Sequence, residues 1–148
     1  MTKRIVPVLL LAAVIAYACG PRSPSSEPAR KHVVAGHALA SSLEVHVADG
    51  VTFAFRVTNG DLKRTELTFP SGLTHDIVVL DAIGREVWRW SEGRMFTQAM
   101  QNRVLEANET MTYEANWKGT LPQGKYVAIA SLSDQDRPLE QRVEFSIP

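Results

Sequence analysis

The feature that most constrains this chain is a period-two alternation of apolar and polar residues, which begins at Ser42 and recurs through most of the remaining sequence. In SLEVHV, Leu43, Val45 and Val47 fall on one face, while Glu44 and His46 fall on the other. Alternation with this period is typical of β-strands that bury one face. The sequence therefore predicts strands rather than amphipathic helices.

Eight segments carry this alternation or a short apolar run of strand length. They are SLEVHV, VTFAFRVTN, TELTF, HDIVVLD, EVWRWS, TMTYEANW, GKYVAIASL and RVEFSI. The first two are separated by the turn ADG, which predicts a hairpin, and HDIVVLD is apolar almost throughout, as expected of a central strand. Short strands at this spacing predict an all-β antiparallel sandwich of about eight strands. Arg94 to Leu105 is the segment in which we expect one helical turn.

Two turns lie within Phe69 to Gly93. In PSG, proline fixes φ at the first corner, and Gly72 is expected to take the positive φ that follows. In DAIG, Asp81 is placed to accept hydrogen bonds from backbone amides, and Gly84 is free to enter the left-handed region. The strands on either side of DAIG are therefore predicted to pair as a hairpin.

Aromatic side chains are expected to build the core of the sandwich. Trp88 and Trp90 share one face of a strand, and Tyr113 and Trp117 share a face of another. A buried tryptophan removes ~150–250 Å² from water, so we interpret these four residues as structural. A stacking platform for a sugar or base is the alternative for the two tryptophans, and Arg89 behind them is interpreted as a solvated or cross-strand paired charge.

The N-terminal residues are typical of an export signal. Lys3 and Arg4 precede an uninterrupted apolar run from Ile5 to Ala18, and Cys19, the single cysteine, follows directly. At fourteen residues the run is shorter than the ~20 needed to cross a bilayer as a helix. AYAC resembles the lipobox of bacterial lipoproteins, in which the cysteine receives a diacylglyceryl group; an ordinary cleavage site beside a spare thiol is the alternative.

These observations divide the chain into three parts. Residues 1–18 are predicted to be the signal peptide, residues 19–37 a lipidated flexible tether rich in Pro, Ser and charge, and residues 38–148 the folded domain. The resulting location is the bacterial cell envelope, with the chain exported and held at a membrane by its N-terminal lipid. From Ala38 onward the net charge is −4. Nucleic-acid-binding domains normally carry a basic surface, so we expect no nucleic-acid partner.

The sequence contains no recognisable motif for catalytic groups. Ser71 lacks a nucleophile-elbow motif, and His75 and Asp76 are adjacent on a strand and therefore point to opposite faces. We interpret them as a strand-edge histidine and a turn-proximal aspartate. No histidine has the spacing of a zinc site, and Asp134 with Asp136 is either a hard-cation contact or, more simply, part of a solvated loop. We expect no enzymatic activity, no metal and no cofactor.

The central block resembles a known family. The ordered motifs FRVTN, LTFPSG, HDIVVLDAIGREVWRWSEGRMFTQA, YEANW and GKYVAIASL are similar to those of the BsuPI domain, named for an intracellular proteinase inhibitor of bacilli. The resemblance implies an immunoglobulin-like β-sandwich. It also implies an inhibitory role against a protease, and a subtilisin-like serine protease is the expected target. The export signal is a departure from the intracellular founding member.

Without catalytic groups, function is expected to reside in loops. The best candidate for a partner-binding loop is SEGRMFTQAMQNR, in which Arg94, Met95 and Phe96 are possible specificity side chains. Phe96 is also interpreted as a core residue that pins the loop. Thr58 to Arg64 and Ser133 to Gln141 are two further candidates. A scaffolding or protein-interaction domain of the cell envelope, without inhibitory activity, is the alternative function.

Overall fold

The computed structural model describes residues 39–118 and 122–148, and these residues contain nine strands. Their bounds are β1 Leu39–Val47, β2 Val51–Asn59, β3 Thr65–Phe69, β4 His75–Asp81, β5 Glu86–Arg89, β6 Gln101–Leu105, β7 Thr110–Trp117, β8 Gly124–Leu132 and β9 Leu139–Ile147. No helix occurs in these two ranges, so none there could span a membrane. The signal peptide, Cys19 and the tether predicted from the sequence lie outside the described residues.

The strands form three antiparallel sheets. One has the order β1-β2-β7, a second has the order β5-β4-β8-β9, and β3 pairs with β6 in a two-stranded ribbon. The two larger sheets share a common core, as shown by ring contacts between Phe53 of β2 and both Trp88 of β5 and Phe145 of β9. The predicted all-β immunoglobulin-like sandwich is confirmed, with one strand more than expected.

Burial follows the alternation read from the sequence. Along β2, Phe53, Phe55 and Val57 are fully buried, and the residues between them are more exposed. The β1–β2 hairpin forms as predicted, with Val47 opposite Val51 at its turn. β4 is confirmed as a central strand, because it lies between β5 and β8 and buries Ile77 and Val79 completely.

The DAIG turn joins β4 to β5 as expected. Asp81 Oδ1 accepts hydrogen bonds from the backbone amides of Ile83 and Arg85 at 3.0 and 2.9 Å. Gly84 takes a φ of 81°, in the left-handed region that favours glycine. The prediction for PSG is wrong in one respect: Gly72 has no positive φ. Glycine suits this position because a Cβ would lie 2.7 Å from Oγ1 and 3.1 Å from the backbone nitrogen of Thr97.

The helical turn expected between Arg94 and Leu105 is absent from the structure. Its second half forms β6, which pairs with β3 from Thr65 opposite Leu105 to Phe69 opposite Gln101. Leu105 is fully buried. The mixed apolar spacing of this segment gave no periodic signal, and pairing with a strand more than thirty residues earlier decided its conformation.

The four aromatic residues predicted to be structural all pack on the core. Trp117 is buried, and Trp88, Trp90 and Tyr113 are half-buried against the core cluster. The rings of Trp88 and Trp117 lie 6.3 Å apart and are nearly parallel. These contacts connect β5 of one sheet with β7 of the other, so the tryptophans help to hold the two sheets together.

Candidate functional site

The predicted partner-binding loop, residues 91–103, overlaps the connection between β5 and β6, residues 90–100, which we call the crossover. The last three residues of the predicted loop lie in β6. It has no regular secondary structure and leaves the edge of the four-stranded sheet to reach the ribbon. An irregular segment that carries function has to be fixed by contacts with the strands around it. The structure shows such contacts at both ends.

A buried carboxylate holds the start of the crossover. Asp76 accepts hydrogen bonds from the backbone amide of Ser91 at 3.1 Å and from its hydroxyl at 2.7 Å. The same side chain accepts a hydrogen bond from Nη1 of Arg89 at 2.7 Å. Asp76 is therefore buried, and its partners are Arg89 of β5 and Ser91 of the crossover. Arg89 has a cross-strand partner, which is one of the two alternatives that the sequence left open.

The chain then reverses direction in a tight turn. The amide of Arg94 donates to the carbonyl of Ser91 at 3.1 Å, and Gly93 takes a φ of 72°. Glycine adopts this conformation without steric cost, so the sequence SEGR closes the turn. The turn directs the next residues back over the ring of Trp90.

The three residues predicted as specificity side chains are held very differently. The guanidinium of Arg94 lies 4.5 Å from the ring centre of Trp90, and its Nε donates to the Trp90 carbonyl at 2.8 Å. Phe96 is half-buried, with its ring 5.8 Å from that of Trp90. Met95, between them, is 99% exposed. The crossover therefore presents one apolar side chain between two residues that are anchored to the same tryptophan.

The far end of the crossover is docked on the PSG turn. The amide of Gly72 donates to the carbonyl of Thr97 at 2.9 Å, and the absence of a Cβ at Gly72 allows this approach. Two glutamines also donate to carbonyls of the crossover, Gln98 to Phe96 at 3.3 Å and Gln101 to Ala99 at 3.2 Å. These bonds give the backbone around Met95 a defined shape.

His75 lies beneath the crossover, in a stack of rings. Its centroid is 4.1 Å from that of Trp90 and 3.9 Å from that of Tyr113, and the residue is 8% exposed. Burial lowers its pKa to about 4, so the imidazole is neutral at neutral pH. The expectation of a strand-edge histidine is wrong, because β4 is central and its inward side at this end is covered by aromatic rings.

Among the described residues, the serine and histidine side chains near the crossover do not form a nucleophile–base pair. His75 and Asp76 face opposite sides of β4, as predicted, and the hydroxyl of Ser91 is bonded to Asp76 rather than to the imidazole. The hydroxyl of Ser71 accepts a hydrogen bond from the amide of Leu73 at 3.2 Å. In residues 39–118 and 122–148, no three His, Cys, Asp or Glu side chains converge as a metal site would require.

The second candidate segment, Thr58 to Arg64, is a structural connection. Asn59 is fully buried, and its Nδ2 donates to the carbonyl oxygens of Lys63, Leu105 and Glu106 at 2.8 to 3.0 Å. Its amide thus joins the β2–β3 turn to the end of β6. The sequence indicated only an Asn-Gly turn at this position, and nothing in a single sequence distinguishes a buried asparagine from an exposed one.

The third candidate segment, Ser133 to Gln141, is also tied down. Asp134 was expected in a solvated loop or near a cation, but it is 3% exposed. Its carboxylate accepts hydrogen bonds from the amide of Thr68 at 2.7 Å and from Nε of Arg137 at 3.2 Å. Arg137 also donates to the carbonyl of Glu66. These contacts fix the β8–β9 connection to β3.

The described residues thus form an antiparallel β-sandwich with one irregular segment that is held at both ends and exposes Met95. A comparison with protein-family models matches residues 39–137 to BsuPI, described as an intracellular proteinase inhibitor. The chain belongs to this family, which confirms the resemblance seen in the sequence.

Comparisons with individual proteins add little to the family match. Among curated protein sequences, no match to the chain is found. Among solved structures, the chain is similar to a β-glucuronidase from glycoside hydrolase family 2, with 10% sequence identity and a TM-score of 0.42. That match covers 78% of this chain and 12% of the other, so this chain spans a small part of that enzyme's length.

Proposed function

We propose that this protein is a non-enzymatic inhibitor of a serine protease of the subtilisin type, and that the crossover is its contact segment. Membership of a proteinase-inhibitor family supports a protease as the partner and a role other than catalysis. The contact residues are inferred from the geometry of the crossover, and the protease class is inferred from the family resemblance.

The observation that carries the proposal is the contrast between Met95 and its two neighbours. A segment that inhibits a protease enters the cleft as a substrate would, and it needs an exposed side chain for the specificity pocket. Ordering a flexible loop on binding costs ~0.5–1.5 kcal/mol for each immobilised side chain. Arg94 and Phe96 are already fixed on Trp90, so that cost falls mainly on Met95.

The character of Met95 suits a hydrophobic specificity pocket. Its side chain is long, unbranched and polarisable, and it adapts to pockets of different shape. The contacts of Asp76 with Ser91 and of Gly72 with Thr97 hold the backbone on both sides. A backbone held in this way resists the rearrangement that accompanies cleavage, which keeps the segment bound instead of released as product.

We also propose that the protein is exported and anchored in a bacterial membrane through a diacylglyceryl group on Cys19. The basic start, the apolar run and the single cysteine that follows it support this proposal. Residues 19–37 then provide the spacer between the membrane and the folded domain. The target would accordingly be a protease of the cell envelope or one that is secreted.

The test is a titration of subtilisin-like proteases with the protein, with residual peptidase activity as the readout. Wild-type protein is expected to abolish activity at roughly equimolar concentration if the Kd lies well below the enzyme concentration. Met95→Asp should weaken inhibition by roughly tenfold or more, because a carboxylate in an apolar pocket loses its hydration.

The matched control is Leu62→Asp. Leu62 is 91% exposed in the β2–β3 turn, so the same change in charge is made at an equally exposed aliphatic residue away from the crossover. This variant is expected to inhibit like wild type. Equal inhibition by both variants would show that the contact lies outside the crossover. A lack of inhibition across a panel of serine proteases would refute the proposed function.

A further inference from the structure

The outward face of the four-stranded sheet carries aliphatic side chains that take no part in the core. We call them the outer patch; its members are Val78, Leu80, Val127 and Ile129. All four are half-buried, and they alternate with the buried residues of β4 and β8. The outward face of a sheet that stays in water normally carries polar residues at such positions, so an apolar centre here indicates a contact surface.

The strand register arranges charges around this patch in two rows. Residues directly opposite in antiparallel strands share a face, so the pairings can be read across β5, β4, β8 and β9. The first row is Arg89, Val78, Ile129 and Arg142. The second row is Glu86, Leu80, Val127 and Glu144. Each row thus has two aliphatic residues between two charges of one sign, and the sign reverses from one row to the next.

A β-bulge makes this pattern possible on β5. In a regular strand, Glu86 and Arg89 would point to opposite faces, because they are three residues apart. The register between β4 and β5 shifts so that Val79 pairs with Trp88 and Leu80 with Glu86, which leaves Val87 as the extra residue. Both charges then lie on the outer face, where Arg89 Nη2 contacts Glu86 Oε2 at 2.6 Å.

We infer that the outer patch binds a second copy of this chain, with a two-fold axis that lies in the interface and runs across the strands. Such an axis places the first row of one copy over the second row of the other. Arg142 then faces Glu144 of the second copy, and Arg89 faces its Glu86. A two-fold axis parallel to the strands would instead place Arg89 against Arg142, so the charges select one geometry.

The next rows outward fit the same axis. Lys125 of one copy lies over Ser131 of the other, and Ser131 pairs with Asp76 on one side and Glu140 on the other. The lysine is therefore placed between two acidic residues. The strands of the two facing sheets run antiparallel to each other, which is compatible with the ordinary aligned packing of sheets.

The size of the surface sets the strength of the association. Four strands and four rows of side chains cover roughly 20 Å by 20 Å, about 400 Å². A standard stable interface buries ~800 Å² on each partner. The dimer is accordingly weak, and the paired charges contribute mainly to its orientation and specificity.

The experiment uses two copies of the full chain with different C-terminal tags, coexpressed in bacteria; one tag is captured and the other is quantified. Arg142→Glu in both copies places like charges in contact twice and should lower capture by roughly fivefold or more. The exchange R142E/E144R in both copies restores opposite charges and should restore capture. The exchanged chain paired with wild type again opposes like charges and should be captured poorly.

Arg142 and Glu144 suit this test because neither forms an ion pair with any residue that the structure describes. The matched control is Arg56→Glu on the outer face of the other sheet, which should leave capture unchanged. Equal capture of every combination, a lack of capture of wild type, or failure of the exchanged chain to associate with itself would each overturn the inference.

Discussion

Gly72→Ala tests the docking of the crossover on the PSG turn. A Cβ at this position would lie 2.7 Å from Thr97 Oγ1 and 3.1 Å from Thr97 N, both closer than ordinary contact. The hydrogen bond from Gly72 N to Thr97 O would lengthen as the crossover moved away. Overpacking costs about 1–3 kcal/mol and the weakened bond about 1 kcal/mol, and the lower entropy of the unfolded alanine chain offsets about 0.4–1 kcal/mol.

The net loss expected in the free energy of unfolding is about 1–3.5 kcal/mol, which corresponds to a decrease in Tm of about 4–15 °C for a domain of this size. Thermal and urea unfolding of the single variant measure this loss directly. Thr97→Ala removes the nearer obstacle, so the double variant G72A/T97A should recover part of the stability lost in G72A. Equal stability of G72A and wild type, or the same loss with and without the Thr97 side chain, would show that Thr97 does not crowd residue 72.

Three further predictions concern other parts of the chain. The pKa of His75 is lowered from 6.5 to about 4 in the folded state, so between these pH values the unfolded chain binds one more proton than the folded chain. The free energy of unfolding should therefore fall by about 3 kcal/mol as the pH drops from 6.5 to about 4. His75→Phe should remove this contribution in urea titrations at different pH. Asn59→Ala should cost about 2–4 kcal/mol in the same assay, and Asn59→Asp more at pH 7, because a carboxylate has no proton to donate to the carbonyls of β6 and the turn. Cys19→Ser should abolish labelling by fatty acid and release the protein from membranes; retained label would contradict the proposed anchor.

The strand content of the fold could be predicted because alternation is a local signal. Leu67 with Phe69, and Met111 with Ala115, show the burial that their spacing predicted. The DAIG hairpin followed from the chemistry of Asp81 and Gly84. Strand β6 could not be predicted in this way, because Gln101 to Leu105 becomes a strand through its pairing with β3.

The braces of the candidate site depend on partners that are distant in sequence. Asp76 finds Ser91 only after β4 and β5 have paired, and Asp134 finds Thr68 across sixty-six residues. In the sequence, both carboxylates look like ordinary surface charges. The sequence predicts a positive φ at Gly72, whereas in the structure the lack of a Cβ at Gly72 makes room for Thr97.

In the proposed complex, residue 95 enters the cleft of a serine protease. A photoreactive amino acid placed at position 95 should form a covalent adduct with a subtilisin-like protease, and a small active-site inhibitor should prevent it. The same probe at position 62 should form none. Three results would contradict this mode of binding. They are adducts from both positions, adducts that persist when the active site is blocked, and the lack of an adduct from position 95 with a protease that the protein inhibits.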